Sequence, residues 1–195
     1  MYILSFDIGI KNLAYCYFEF DKILDIIRIK EWDVLDISSS NKSDQSSILL
    51  KKLHDHFKDI ELDYVVIENQ PALKNPIMKT VQVIVHTYFQ YQKVLLQRNI
   101  DVHNINARNK IKNAEALMKS YNCPDIICKT APSNKYKWNK EASILYTQQF
   151  LEYKNLEEHL AFFKTFKKKD DLADTLLQGL YFVHLTSTTE PTTTA

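Results

Sequence analysis

Tyr2-Ile3-Leu4-Ser5-Phe6-Asp7-Ile8-Gly9 is a short apolar run that stops at a glycine. Runs of this length, bounded by a turn residue, read as buried strands. The strand carries a single acid, Asp7, at its polar end. Gly9 is one of only two glycines in the chain, so its use here implies that bulk is excluded, by a phosphate or by backbone in close approach. Tyr64-Val65-Val66-Ile67-Glu68 repeats the arrangement, an apolar strand ending in a carboxylate. An acid in that position is costly to bury without a cation or partner. The continuous apolar character of this second run makes it central and parallel to the first.

The remaining elements fall into place around these two strands. Residues 13–20 and 23–35 are rich in aromatic and β-branched residues, and their short connections predict an antiparallel meander with the first strand. From Ser43 to about Ile60, apolar residues at 49, 50, 53 and 57 predict an amphipathic helix, with Ser43 or Asp44 as N-cap. Residues 75–97 form the longest helical pattern. Ile77, Val81, Ile84, Tyr88, Tyr91 and Leu95 make one apolar stripe, and Met78, Val85, Phe89 and Leu96 make a second. One stripe can cover the sheet, and the other is surplus. Residues 100–106 alternate as a strand, and the chain turns helical from Arg108. Pro124 and Pro132 mark a loop, and helices are predicted over 140–153, 156–166 and 171–185. This order reads as an α/β, ribonuclease H-like fold: a mixed five-stranded sheet, three strands antiparallel and then two parallel, flanked by helices. Residues 1–185 are expected to form one nuclease domain and 186–195 a disordered, Thr-rich tail.

At 195 residues and 45% hydrophobic, the chain is long enough to bury a proper core. No run of 18 apolar residues exists, so no membrane span is expected. The N-terminus lacks a basic region and a small-residue cleavage site, which predicts an intracellular protein. Three cysteines, Cys16, Cys123 and Cys128, argue against a disulfide framework and lack zinc spacing. His54 and His56 read as solvated surface. The net charge of +1 says nothing for nucleic acid, but its distribution does. Lys129, Lys135, Lys137 and Lys140 occur with no acid among them, and Lys164, Lys167, Lys168 and Lys169 run into an acidic pair. Lysines beside carboxylates can draw a phosphate backbone toward a negatively charged centre.

That acidic pair is Asp171 and Asp174, three residues apart and so on one helix face near its N-terminus. With Asp7 and Glu68 it makes four carboxylates, which repel one another unless divalent cations hold them together. Oxygen ligands of this kind suit Mg²⁺ or Mn²⁺. Two such ions about 3.5–4 Å apart stabilise the attacking and leaving oxygens of a phosphodiester displacement. The constellation therefore predicts a metal-dependent nuclease.

Asp7-Ile-Gly-Ile-Lys-Asn12, Val66-Ile-Glu-Asn-Gln70 and Lys168-Lys-Asp-Asp-Leu-Ala-Asp174, in that order, resemble the RuvC-like Holliday junction resolvases. The likeness is greatest to the branch of poxviruses, other large DNA viruses and fungal mitochondria, and it spans residues 1–185. It implies a homodimer that nicks four-way DNA junctions symmetrically, leaving ligatable 5′-phosphate and 3′-hydroxyl ends. It also implies that Asp7, Glu68, Asp171 and Asp174 bind two Mg²⁺ ions, with Mn²⁺ a substitute. A catalytic lysine is expected near the scissile phosphate, Lys110 first and Lys112 second. Lys11, Asn12, Lys74, Lys79, Lys135, Lys137 and Lys140 are candidate DNA-backbone contacts. The dimer is expected through the 75–97 helix, by the stripe containing Val85 and Phe89. A poxvirus-like enzyme would work in a cytoplasmic viral factory of the host, and otherwise in nucleus or mitochondrion. Competing readings are a related nuclease for RNA–DNA hybrids or flaps, and an inactive junction-binding module. An actin-like ATP-binding kinase is disfavoured, because Gly9 and Gly179 alone cannot supply its glycine-rich phosphate turns.

Overall fold

The computed structural model describes residues 1–21, 26–106, 114–124 and 135–189. The chain divides into two compact units, Met1–Ala107 and Arg108–Ala195.

The first unit is built on a five-stranded sheet. Strands β1 (Tyr2–Asp7), β2 (Leu13–Asp21), β3 (Ile26–Leu35), β4 (Tyr64–Glu68) and β5 (Asp101–Ile105) lie in the order β3-β2-β1-β4-β5. β1 pairs antiparallel with β2 and β2 antiparallel with β3, whereas β4 runs parallel to β1 and β5 parallel to β4. The predicted mixed sheet, three strands antiparallel and two parallel, is therefore present. Successive residues of β1 point to opposite faces, and Ile3, Leu4 and Phe6 are all fully buried. That is why the strand reads as one apolar run rather than an alternation.

Two helices cover one face. A 3-10 turn at Lys42–Asp44 leads into α1 (Gln45–Phe57), and α2 (Pro76–Val94) follows β4. The predicted capping role of Asp44 is positional only. It precedes α1 but makes no side-chain capping bond, because the 3-10 turn has already placed it in helical backbone. α2 is capped by Asn75, whose side chain accepts from the Met78 amide, and Pro76 occupies its first turn, where its missing N–H does no harm. Leu4, Phe6, Tyr15, Leu49, Leu53, Phe57, Val65, Ile67, Val85 and Phe89 form the core between helices and sheet. Phe57 meets Phe6 and Tyr15 edge-on, with ring centroids 5.4 and 5.1 Å away. Such contacts add roughly 0.5–1.5 kcal/mol each beyond area burial.

The position of α2 corrects one expectation. Val85 and Phe89, assigned from sequence to a dimer interface, are fully buried in the first unit's own core. Val81 and Tyr88 of the other predicted stripe are buried beside them. The helix thus seats the ridge between the two stripes on the sheet, taking residues from both. What remains outside is Ile77, Val83, Tyr91, Val94, Leu95 and Leu96, each 48% exposed or more.

The second unit is helical: α3 (Ala114–Ser120), α4 (Lys135–Tyr153), α5 (Glu157–Thr165) and α6 (Lys169–Thr189). α6 packs against the other three. Leu172, Ala173 and an unbroken stretch from Thr175 to Val183 are buried, so no single stripe accounts for its pattern. The Tyr121 hydroxyl donates to the Leu180 carbonyl at 3.2 Å, and its ring stands edge-on to Phe150. α6 continues past the predicted Leu185 to Thr189, where Thr186 bonds back to the Phe182 and Val183 carbonyls. Among the described residues each unit holds one buried cysteine outside any disulfide, Cys16 in β2 and Cys123 after α3. Cys128 lies outside the described residues.

Candidate active site

Asp7 is the last residue of β1 and Glu68 the last of β4. The two strands are neighbours, parallel, with Phe6 paired to Ile67. Extending that register by one residue sets Asp7 beside Glu68 at the carboxyl ends of the strands. Open parallel sheets bind their ligands at that edge. Both side chains are half-buried. The chain leaving β1 turns sharply: a Cβ on Gly9 would lie 2.2 Å from the Asn12 carbonyl oxygen. Backbone in close approach therefore excludes bulk at this position.

Glu68 is held from behind. Gln70 Nε2 donates to Glu68 Oε2 at 2.8 Å, and the Gln70 amide N–H donates to Gln82 Oε1, also at 2.8 Å. Gln82 lies on α2 and is only 3% exposed. Its Oε1 also accepts from Lys79 Nζ at 3.0 Å, and its Nε2 donates to Asn104 Oδ1 at 2.8 Å and to Asn69 Oδ1 at 3.4 Å. Lys79 Nζ reaches Asn69 Oδ1 at 3.1 Å, and Asn104 Nδ2 sits 3.2 Å from His86 Nδ1. Burial, then the charge of Lys79, holds His86 below its ordinary range.

In the second unit, Asp170, Asp171 and Asp174 occupy the first turns of α6, which begins at Lys169 rather than at Asp171 as expected. Burial pushes the Asp171 carboxyl up, the charge of Asp170 adds to it, and Asp174 contributes further. Asp170 behaves oppositely. Burial alone would raise it, but the hydrogen bond and charge of Lys140 outweigh that and leave it lowered. A carboxylate crowded by other acids, as Asp171 is, is the kind of oxygen donor a hard cation suits. Among the described residues no three His, Cys, Asp or Glu side chains gather into a group that could hold a metal ion.

The candidate DNA contacts differ in what their ammonium groups do. Lys11 and Lys74 are exposed, and Asn12 is half-buried. Lys79 is engaged with Asn69 and Gln82. Lys137 is exposed and 3.7 Å from Glu141, while Lys140 is engaged with Asp170. Lys135 starts α4, but its side chain, like Lys110 and Lys112 entirely, lies outside the described residues. Asn69 and Gln70 stand in a motif that carries the resemblance but have no role assigned from sequence, and Gln82 and Asn104 go unmarked by it. A signal did exist: Gln82 fills the gap between Met78 and Val85 in the second stripe of α2, an amide where the helical repeat calls for an apolar residue.

On the outer surface of the first unit, Leu50, His54, Val83, Ile84, Thr87, Tyr88 and Tyr91 line an apolar groove of about 490 Å³ between α1 and α2. Among the described residues no helix is long and apolar enough to cross a membrane.

A family model described as poxvirus A22 protein matches residues 1–131. An uncharacterized protein of Acanthamoeba polyphaga mimivirus is 35% identical over 147 residues, which is 69% of this chain and 32% of that protein. The chain thus spans about a third of the length of that relative. Among solved structures, the fowlpox virus resolvase bound to Holliday junction DNA superposes with a TM-score of 0.61 at 22% identity, over 97% of this chain and 100% of that one. The yeast mitochondrial Holliday junction resolvase gives 0.64 at 16% identity, over 95% and 80%. RuvC of Thermus thermophilus gives 0.56 at 16% identity, over 96% of each. At these identities the likeness establishes the fold.

Proposed function

The chain belongs to the poxvirus A22 protein family, and from that membership and its carboxylates we propose that it is a Mg²⁺-dependent endonuclease that resolves four-way DNA junctions. The observation that carries this reading is the pair of acids at the ends of adjacent parallel strands, Asp7 and Glu68. A second pair, Asp171 and Asp174, stands on α6. Asp7, Glu68, Asp171 and Asp174 are the proposed ligand set for two cations; Mn²⁺ has the same preference for oxygen ligands and would substitute. Bound there, Mg²⁺ would supply the positive charge that eases ionisation of the attacking water and of the leaving 3′-oxygen.

The chain's own groups do the rest. Gln70 donates to one oxygen of the Glu68 carboxylate and so restrains it. Lys140 pairs with Asp170, and its charge tempers the crowding of acids at the start of α6. Lys110, with Lys112 as alternate, would place an ammonium on the scissile phosphate. Exposed Lys11, Lys74 and Lys137 would hold the backbone of the junction arms.

A four-way junction has two-fold symmetry and needs two cuts, so the working species is proposed to be a homodimer. The apolar groove along α1 and α2 is the face offered for it, in place of the buried Val85 and Phe89. A junction-resolving role in a poxvirus-type relative belongs with replicating viral DNA in the host cytoplasm.

The deciding experiment compares cleavage of an immobile four-way junction, a hybrid duplex and a linear duplex in Mg²⁺. Paired symmetrical nicks at the junction alone are expected. Asp7→Asn and Glu68→Gln should each abolish cutting while sparing junction binding, and normal cutting by both variants would remove the metal-site assignment.

A further inference from the structure

We infer that Gln82 is a positioning residue for Glu68, acting through Gln70; the inference rests on Glu68 being a metal ligand as proposed above. The orientation of the Gln82 amide is fixed by its neighbours. The Gln70 N–H and the Lys79 ammonium can only donate, so the atom between them must be the carbonyl oxygen. The NH₂ group then faces Asn104 Oδ1 and Asn69 Oδ1. Both acceptor directions and both hydrogens of this amide are in use.

A side chain 3% exposed in the core-facing stripe of a helix could be apolar without loss of packing. A buried amide is tolerable only when fully bonded, and once bonded it fixes whatever it is bonded to. The groups it fixes are the two residues directly after Glu68 (Asn69 and Gln70), the end of β5 (Asn104) and the first turns of α2 (Lys79). With its backbone N–H held by Gln82, Gln70 is set to reach back two residues and donate to Glu68 Oε2. Gln82 therefore restrains the Glu68 carboxylate through Gln70. Partners of this kind behind a metal ligand typically change metal affinity by about 10–100-fold when removed.

The test uses the full chain and Mn²⁺ alone as probe, with affinity measured by titration calorimetry and by the paramagnetic resonance of free Mn²⁺. Gln82→Met keeps volume and loses every hydrogen bond, so Mn²⁺ affinity should fall about 10-fold. The Mg²⁺ midpoint of junction cleavage should rise by a similar factor. Gln82→Glu retains the acceptor for Gln70 and Lys79 but turns an acceptor onto the Asn69 and Asn104 oxygens, so Mn²⁺ affinity should recover while Tm does not, a split that a merely structural role would not give. Gln70→Ala, in a half-buried connection, should reproduce the metal defect with little change in Tm, and it decides the matter if Gln82→Met does not fold. Wild-type Mn²⁺ affinity in both Gln70→Ala and Gln82→Met, with Glu68→Gln defective, would overturn the inference alone. Wild-type affinity in Glu68→Gln would overturn the reading of Glu68 beneath it.

Discussion

Asp171 sits where burial and two neighbouring carboxylates all resist its ionisation. The raised affinity for a proton has a thermodynamic consequence. A carboxyl with a folded-state pKa above its unfolded one favours folding below the unfolded value, and that advantage is lost as pH rises through the folded value. At neutral pH the charged Asp171 is therefore a burden on the metal-free protein. Asp171→Asn should raise the melting temperature in EDTA at pH 7, by less than about 1 kcal/mol once solvent screening of a half-exposed group is allowed for. The gain should vanish below the ordinary carboxylate range. Mg²⁺ should stabilise the natural protein and not the variant. Thermal melts from pH 3 to 8, with and without Mg²⁺, check both signs. The acids at the strand ends were legible in the sequence, because a carboxylate closing an apolar strand is costly unless a cation or partner meets it. The amides behind Glu68 were not, because one glutamine on an amphipathic helix looks like surface until the phase of the helix is known.

At the scale of the element, α2 separates what a period can tell from what it cannot. Two stripes were visible in its sequence, yet periodicity carries no information about which side meets the sheet. The helix resolved this by seating the ridge between them, so Val81, Val85, Tyr88 and Phe89 are all core. Phe89→Ala should accordingly destabilise the fold by about 3–5 kcal/mol in denaturant titrations. It should not behave as an interface change. Val83→Glu, at a half-exposed site lining the outer groove, should leave stability within about 0.5 kcal/mol. Sedimentation velocity should find it monomeric. A Val83→Glu dimer as tight as the natural one would move the interface elsewhere. The strands were easier to place than the helix, since a continuous apolar run such as Val65-Val66-Ile67 has both faces to bury and so belongs at the centre of a sheet.

For the molecule as a whole, a net charge of +1 means that attraction to DNA must come from local placement of lysines, not from overall field. Each phosphate contact contributes about 0.9 to the slope of log affinity against log salt. Lys11→Ala, Lys74→Ala and Lys137→Ala should each lower that slope by about this amount for junction DNA in the absence of Mg²⁺, measured by fluorescence anisotropy between about 50 and 200 mM salt. A slope that does not change takes that lysine out of the interface. Lys79 differs in kind, because its ammonium is already bound within the protein, so its removal should disturb Glu68 before it disturbs DNA affinity.

Cys16 and Cys123 lie one in each unit, shielded from water, and burial pushes the Cys16 thiol well above its normal range. A shielded thiol is inert to alkylating reagents until the surrounding structure opens. Among the described residues these two thiols act as chemical stopwatches, one for the sheet and one for the helices. Timed labelling followed by peptide mapping would tell whether the halves breathe together or apart.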